Sequence, residues 1–361
     1  MTNKLYTKII GTGSCIPTKV IKNDYFLGNT FYNPSTHEIF DKSNEEIIRK
    51  FHDITNIEER RYVEDDQLNS DIATIAVNNA CESSGVDPES LEFIIFCHNF
   101  GNITKGKALV DTLPALANLV KKAVGIKNPG CICHDLISGC PGWTQGMITA
   151  NAYLTSGTYK RGIVIGADTL SRVSDPHDRD TMIFSDGAGA TIVEAVESET
   201  PIGIVSHSSR SDSNPYANLL TFGRSLNPDY DPDHLFIKMT GHKLYVYAIT
   251  YVPLVVKDSL DKAGIDLKDI KKVLIHQANE KMDEAILRNI FKLYNRKEVP
   301  EGLMPMSINK LGNSSTATVP TLLDLVAKGK LDDHRIQSGD YVLMCSVGAG
   351  MNINSIVYKW N

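Results

Sequence analysis

The sequence predicts an α/β fold that is built from two pseudo-symmetric halves. Apolar runs with the length of strands alternate with helical patterns along most of the 361 residues, as expected where helices cover sheets. One arrangement of helix, glycine, turn and strand also occurs twice in the chain. A hydrophobic content of 42% is sufficient for a large core, so the chain can form two halves or two domains.

The internal repeat is visible as a helical pattern that ends at a glycine and leads through a turn into an apolar strand. In the first copy the glycine is Gly85 and the strand ends at Cys97. In the second copy the glycine is Gly264 and the strand is followed by His276. Both pairs are offset by 179 residues, close to half the chain length, which indicates two copies of one unit.

A second match follows the first in the same order. Cys140, its helix and the strand at residues 162–166 resemble Asn313, its helix and the strand at residues 341–344. Each unit is therefore rich in β-α-β connections, and we expect the active site where the units meet. On this interpretation Cys140 and Asn313 are pseudo-symmetric, each at the start of a central helix.

The remaining elements follow from the apolar pattern. Strands are predicted, with helices between them, at residues 8–11, 93–97, 162–166, 189–194, 202–206, 273–275, 341–345 and 354–358. The pattern breaks near residues 196–201, so we expect an N-terminal half at 1–197 and a C-terminal half at 198–361. Loops that either wall a pocket or serve as solvated connections are predicted at residues 28–41, 100–106 and 214–233.

The bulk properties narrow the possible partners. A net charge of -6 without a long Lys/Arg cluster argues against nucleic acid and membrane surfaces as main partners. Residues 1–11 carry no signal-peptide pattern, and the most apolar stretch, residues 245–256, is too short and proline-interrupted to span a bilayer. Seven cysteines, an odd number, predict a location in the reducing cytoplasm.

Cys140 is the most informative single residue. An apolar strand at residues 131–133 is followed by Ser-Gly-Cys-Pro-Gly-Trp at residues 138–143 and then by a helix that we expect to start at Pro141. The unpaired N–H groups and positive dipole of a helix N-terminus favour thiolate over thiol. A buried structural cysteine is the alternative. The location at the start of a helix favours a nucleophile.

The cysteines of the preceding strand offer a metal site as a further interpretation. Cys131 and Cys133 share one face of a strand and His134 follows them. No second ligand pair follows at zinc spacing. We therefore predict that no metal is bound.

His276 and Asn313 lie at comparable junctions. His276 follows the strand at 273–275 and precedes a helix expected from Met282 to Tyr294, and Asn313 precedes a helix expected from Thr318 to Lys328. Loops at strand ends often carry catalytic side chains in α/β proteins. Taken alone, the histidine could be structural and the asparagine a turn residue. Together the three residues provide a nucleophile, Cys140, and two polar partners, His276 and Asn313.

At these residues the chain resembles the β-ketoacyl-ACP synthase III branch of the thiolase-fold condensing enzymes. The resemblance runs nearly end to end, through motifs at residues 8–14 (KIIGTGS), 175–181 (DPHDRDT), 184–190 (FSDGAGA), 276–279 (HQAN), 312–315 (GNSS) and 347–351 (VGAGM). The resemblance implies a five-layered α-β-α-β-α fold. It also implies a homodimer.

The resemblance further implies a mechanism. Cys140 would attack an acyl thioester, and the backbone N–H groups of Cys140 and Ala349 would hold the oxyanion. The first thioester would be carried by coenzyme A or an acyl carrier protein. A second thioester, normally malonyl on an acyl carrier protein, would then lose carbon dioxide. Neutral His276 and Asn313 would each donate a hydrogen bond to the resulting enolate. The resemblance implies no metal or redox cofactor.

Several positions depart from the family pattern. Glu46 stands where family members often place a tryptophan that stacks on the adenine of coenzyme A, and Pro141, Trp143 and Ala349 change the surroundings of the nucleophile. Lys281 replaces an arginine that often binds the carrier protein, which keeps the charge but loses the planar fork. These departures leave open a specialised ketosynthase that joins a β-ketoacyl thioester to a second acyl thioester, as in dialkylresorcinol formation.

Two alternatives belong to other classes of protein. A cysteine acyl hydrolase would use Cys140 and His276 but would not need Asn313 as a second enolate donor. An inactive partner subunit of a heterodimer is the other alternative. The intact set of Cys, His and Asn argues against it.

Overall fold

The computed structural model describes residues 4–361 and contains two central sheets and three short two-stranded ones. In chain order the strands are β1 (Lys4–Cys15), β2 (Lys19–Lys22), β3 (Glu59–Tyr62), β4 (Phe93–His98), β5 (Asn102–Ile103), β6 (Val110–Asp111), β7 (Ile132–Ile137), β8 (Arg161–Thr169), β9 (Asp186–Ser198), β10 (Gly203–Ser211), β11 (Leu220–Gly223), β12 (Phe236–Met239), β13 (Ile270–Ile275), β14 (Tyr341–Gly348) and β15 (Asn352–Lys359). The helices are α1 (Asn44–Thr55), α2 (Asn69–Ser84), α3 (Leu116–Val124), α4 (Gly142–Thr155), α5 (Ser213–Tyr216), α6 (Gly241–Ala263), α7 (Glu280–Leu293), α8 (Ile308–Leu311) and α9 (Thr318–Ala327).

The two central sheets have matching topology. The first has the strand order β1-β9-β8-β4-β7, and the second has the order β10-β15-β14-β13. In both, a parallel core (β4 with β7 and β8, or β13 with β14) is extended by antiparallel strands. The prediction of an α/β fold with two pseudo-symmetric halves is therefore confirmed.

Helices and sheets stack in five layers. Helices α2 and α3 cover the outer face of the first sheet, α4 and α9 lie between the sheets, and α6 with α7 covers the outer face of the second. The middle layer contains an apolar cluster, in which Trp143 and Met147 of α4 pack with Leu322 of α9 and with strands of both sheets. Such burial removes large apolar side chains from water and is the main stabilising contribution. The five-layered arrangement is confirmed.

The repeat is also present at the level of single turns. Helices α2 and α6 end at Gly85 and Gly264, which both have a φ of 67°, a conformation that glycine adopts without strain. A short 3₁₀ turn then leads into β4 or β13. The break between the central sheets falls between Ser198 and Gly203. The division into domains at 197/198 stays a prediction, and residues 1–3 lie outside the described part.

Several predicted boundaries were wrong. The helix after Cys140 begins at Gly142, not at proline, because Pro141 lies in a turn closed by a hydrogen bond from Gly142 N to the Gly139 carbonyl (2.9 Å). Strand β7 starts and ends later than the predicted strand at 131–133. The other predicted strands all overlap observed ones, which are longer. The helix after His276 is the observed α7, which begins at Glu280.

Within residues 4–361, none of the helices combines the length and apolar character that a membrane span requires.

Candidate active site

Cys140 lies in the loop between β7 and α4, where the two halves of the chain touch. The end of β14 packs against this loop so closely that a Cβ atom added at Gly348 would lie 2.8 Å from Cys140 N. From the other side, Gly139 has a φ of 61°, and a Cβ there would lie 2.9 Å from Ala349 N. Glycine is therefore required at both positions. The thiol itself is half-buried.

Two opposing effects act on the Cys140 thiol. Burial, and after it the Asp168 carboxylate, raises the pKa of Cys140 to about 11, whereas a hydrogen bond from Ser315 lowers this pKa. The α4 N-terminus also favours the thiolate. The predicted stabilisation of the thiolate by the helix N-terminus is therefore opposed by burial, which has the largest effect on this pKa. The resting thiol is protonated at neutral pH, and the thiolate must be stabilised as substrate reacts.

The His276 imidazole is buried and neutral. Its backbone N–H extends the β13–β14 pairing by donating to the Cys345 carbonyl (2.8 Å), and its side chain is 2% exposed. Burial lowers the pKa of His276 to about 4, against the effect of a hydrogen bond with the Ser315 backbone. Among the described residues, no group forms a hydrogen bond with Nδ1. An unpaired buried nitrogen of this kind can serve a bound substrate.

Asn313 is held in place by its own backbone. Its N–H donates to the Ile183 carbonyl (2.9 Å) and its carbonyl accepts from Ser185 N (2.8 Å). The preceding Gly312 has a φ of 63°, and a Cβ there would lie 2.7 Å from the Arg60 Cβ, so no other residue fits without strain. The side-chain Oδ1 accepts from Ser315 N (2.8 Å). Because the amide oxygen is engaged, the amide NH₂ is the group left for a ligand.

The structure brings the three predicted residues together around Ser315. The Ser315 hydroxyl donates to Cys140 Sγ (3.2 Å), its backbone N–H donates to Asn313 Oδ1, and its backbone also bonds the His276 ring. Ser315 has a φ of 52°, which is rare for a residue other than glycine and is frequent at functional sites.

Sequence reasoning did not find Ser315, Asn99 or Asp168. Asn99 Nδ2 donates to Ser315 Oγ (2.7 Å) and to Asp168 Oδ2 (2.7 Å), and Asn99 N donates to Asp168 Oδ1 (2.8 Å). Asn99 follows β4 directly and Asp168 lies near the end of β8. Polar residues at the carboxyl ends of neighbouring parallel strands are a signal that could have indicated this cluster.

A cavity of about 740 Å³ lies beside the segments that carry His276 and Asn313. Its wall includes Ile183, whose carbonyl holds the Asn313 backbone, and Asn279, three residues after His276. Lys50, Arg179 and Asp180 lie in the wall amid apolar side chains, and Arg179 pairs with Asp180 (3.7 Å). A largely apolar wall with a few charged groups suits an extended ligand.

Two further predicted positions lie near this cavity. The Glu46 carboxylate on α1 pairs with Lys42, just before the helix (2.9 Å), and with Lys50 on the helix (3.5 Å). Lys281 is exposed on α7 and donates to the Asp53 carbonyl near the end of α1. Lys281 therefore presents a positive charge at the surface rather than inside the site.

Two stacked sheets of matching topology, with a cysteine, a histidine and an asparagine meeting between them, define a condensing enzyme of the thiolase fold. Comparisons with known proteins then identify the family. The sequence model for 3-oxoacyl-[acyl-carrier-protein (ACP)] synthase III matches residues 134–213, and the model for the C-terminal part of that family matches residues 260–360. The chain belongs to this family and is an acyltransferase of the ketosynthase type.

Individual relatives agree with this assignment. The chain is 30% identical to the β-ketoacyl-[acyl-carrier-protein] synthase III of Prochlorococcus marinus, over 98% of this chain and 95% of the relative. The crystal structure of 3-oxoacyl-[acyl-carrier-protein] synthase III from Aquifex aeolicus is 28% identical with a TM-score of 0.77, covering 98% of this chain and 100% of that one. The priming β-ketosynthase of the R1128 polyketide pathway shares the fold, with 23% identity and a TM-score of 0.77 over 100% of this chain and 98% of that one.

Proposed function

We propose that the protein performs a decarboxylative Claisen condensation in which Cys140 carries the acyl group and His276 and Asn313 stabilise the enolate. In the first step the Cys140 sulfur attacks an acyl thioester, a new thioester forms, and the departing thiol takes the proton. In the second step a malonyl thioester loses carbon dioxide, and the electrons of the broken bond form an enolate. The enolate carbon attacks the acyl group, and the Cys140 thiolate leaves.

The observation that carries this proposal is the joint engagement of the three side chains by Ser315. A developing enolate oxygen is stabilised by donors that are already in place and carry no charge to desolvate. His276 is neutral because its pKa is about 4, and the Asn313 amide keeps its NH₂ available. The Asn313 amide supplies one donor directly, and His276 supplies the second in the tautomer that carries its hydrogen on the unpaired Nδ1.

The backbone N–H groups of Cys140 and Ala349 are proposed to hold the oxyanion of each tetrahedral intermediate. Support comes from the close packing of β14 and the turn after it against the Cys140 loop. Two N–H groups from different segments can converge on one oxygen only if their backbones approach this closely. Such donors contribute a large share of the rate in acyl transfer.

We propose that the acyl groups arrive on coenzyme A or acyl-carrier thioesters through the cavity of about 740 Å³. The basic residues Lys50 and Arg179 in its wall match the phosphate of a pantetheine arm. The exposed Lys281 is proposed to attract the acidic surface of a carrier.

A homodimer is the proposed assembly. Strand β7 is the edge of the first sheet, and its side chains Ile132 and Ile137 are 38% and 66% exposed. An uncovered edge with apolar side chains favours pairing with a second copy of the same strand.

We also propose a cytoplasmic location, which is supported by seven free cysteines. The division of the chain into two halves at 197/198 is proposed as well.

Decarboxylation by the variant Cys140→Gln tests the proposal against a cysteine hydrolase. The variant cannot form a thioester but retains His276 and Asn313, so we expect it to release carbon dioxide from a malonyl-carrier thioester. Adding Asn313→Ala to this variant should remove the release. A parent enzyme that turns over while Cys140→Gln releases no carbon dioxide would favour the hydrolase.

A specialised ketosynthase that joins a β-ketoacyl thioester to a second acyl thioester is the second candidate. It is favoured by Glu46, whose carboxylate is paired with Lys42 and Lys50 and offers no aromatic surface for an adenine. A panel of acyl-coenzyme A and acyl-carrier thioesters, followed by the mass of the Cys140 peptide, separates the two. Loading from short acyl-coenzyme A supports the initiator function, and loading only from longer or β-ketoacyl carriers supports the specialised one.

A further inference from the structure

We propose that Asn99 and Asp168 are positioning residues that direct the Ser315 hydroxyl hydrogen onto the Cys140 sulfur, and that this hydrogen bond stabilises the thiolate that reacts. The inference rests on the proposed role of Cys140 as nucleophile. It adds a hydrogen-bond relay from the first sheet to the sulfur, which is distinct from the donors assigned to the enolate.

The direction of each hydrogen bond follows from what the groups can donate. Asp168 accepts from the backbone N–H of Asn99 (2.8 Å) and from Asn99 Nδ2 (2.7 Å). A carboxylate only accepts, so the Asn99 amide is held with its NH₂ toward Asp168. The same NH₂ lies 2.7 Å from Ser315 Oγ. The Ser315 oxygen is therefore the acceptor in this contact.

A serine hydroxyl has one hydrogen to donate, and at Ser315 one direction remains for that donation. Because Ser315 Oγ accepts from Asn99, its own hydrogen is free to point at Cys140 Sγ, 3.2 Å away. Without Asn99, that hydrogen could turn to other acceptors. The Ser315 hydrogen bond also opposes the effect of burial on the Cys140 pKa.

The backbone around the relay holds it rigidly. Thr316 N donates to Asp168 Oδ2 (3.2 Å), and Thr316 Oγ1 donates to the Gly139 carbonyl (3.1 Å) in the cysteine loop. The turn with Ser315 and Thr316 is thus fastened to β8 and to the loop that carries the sulfur. A site held from both sides keeps a short hydrogen bond in place through the reaction.

The titratable groups facing the relay come from four strands or their ends. Asp168 lies on β8, His276 follows β13, and His98 at the end of β4 is paired with Asp135 on β7 (3.2 Å). Burial raises the pKa of Asp168, and hydrogen bonds from Asn99 and Thr316 oppose the shift. His276 stays neutral over the range in which a cysteine titrates. A change in Cys140 reactivity above pH 6.5 therefore reports on the thiol.

The test is the rate at which iodoacetamide alkylates Cys140, followed by the mass of its peptide from pH 6.5 to 10. Loss of a hydrogen bond to a thiolate corresponds to an upward shift of about one to two pH units. Since a more basic thiolate is more nucleophilic, the rate at pH 8 should fall by about threefold to tenfold. We expect this fall in Ser315→Ala, and a fall in the same direction in Asn99→Ala.

A double variant distinguishes positioning from general loss of structure. In a Ser315→Ala background, Asn99→Ala should change the rate no further, because the relay already ends at the missing hydroxyl. Asn102→Ala is the matched control, since Asn102 is a buried asparagine bonded to Ser70 (3.0 Å in both contacts). Its alkylation profile should match that of the parent.

Two outcomes overturn the inference: an Asn99→Ala profile equal to that of the parent, or equal slowing by Asn99→Ala with and without Ser315. If Asn99→Ala does not fold, Asn99→Ser is used, because its short side chain cannot span Asp168 and Ser315. The assay needs no thioester. If the parent enzyme reacts with iodoacetamide but accepts no acyl group, the proposed function is contradicted, whereas the inference about the hydrogen-bond relay is not.

Discussion

The variant Asn313→Asp isolates one enolate donor with almost no change in shape. The aspartate retains an oxygen that can accept from Ser315 N, as Asn313 Oδ1 does at 2.8 Å. It replaces the free NH₂ with a second acceptor, so the enolate loses a donor and meets a repulsive oxygen. Loss of one preorganised donor costs about 3 to 4 kcal/mol, or about 10²- to 10³-fold in rate. Because Asn313 is only 3% exposed, solvent cannot replace the missing donor.

The assay separates the two half-reactions. Carbon dioxide release from a malonyl-carrier thioester should fall by at least about 10²-fold, whereas acyl loading of Cys140, read from intact mass, should change by only a few-fold. Asn289→Asp is the matched control, because Asn289 on α7 donates one amide hydrogen bond to the Ile249 carbonyl on α6 (2.9 Å). Release that stays near the parental rate in a folded Asn313→Asp variant would refute the assignment.

Three further perturbations test the site, its stability and its surface. His276 has a pKa of about 4 in the folded protein and 6.5 when exposed, so the unfolded chain binds the extra proton as the pH falls. The free energy of unfolding should therefore decrease by about 3 kcal/mol between about pH 6.5 and pH 4. In urea titrations, His276→Gln should remove this part of the decrease, and a variant with the same pH dependence as the parent would contradict the burial effect. Gly348→Ala should lower the free energy of unfolding by about 1 to 3 kcal/mol and slow acyl loading, because the new Cβ would lie 2.8 Å from Cys140 N. Gly241→Ala is the control, because a Cβ there meets nothing within 4 Å. This control should leave the melting temperature and the loading rate nearly unchanged. Lys281→Glu should raise the KM for a carrier thioester by about two- to fivefold at low salt and less at high salt. The KM for a pantetheine thioester should not change. Lys271→Glu, at the start of β13, is the control, and an equal effect on the KM from this variant would argue against a specific carrier contact.

The sequence allowed the fold and the three principal site residues to be predicted because their signals are local. A strand that ends at a polar residue, followed by a helix, identifies Cys140, His276 and Asn313 one at a time. The repeat with its offset of 179 residues then indicates two related units. The structure pairs β4 with β8 and, in the corresponding positions of the second unit, β13 with β14.

Other features were hidden because they depend on contacts between distant segments. Ser315 lies in a serine-rich loop and was not distinguished from an ordinary turn residue, yet its hydroxyl contacts a sulfur 175 positions away. Strand β7 was predicted too short because it contains the polar residues His134 and Asp135. The partners of Asp135 come from other segments: it pairs with His98 and accepts a hydrogen bond from Leu116 N at the start of α3. Burial has the largest effect on the pKa of the Cys140 thiol, and this burial is produced by segments that are distant in the sequence.

The most direct test of the account is a single-turnover experiment on Cys140. Enzyme loaded with an acyl thioester is isolated, mixed with a malonyl-carrier thioester, and sampled for the mass of the Cys140 peptide, released carbon dioxide and carrier-bound product. We predict that the acyl adduct on Cys140 disappears at the rate at which the β-ketoacyl product forms, with one carbon dioxide for each product. Product formation without an adduct on Cys140, or an adduct that is lost only as free acid, would contradict the account.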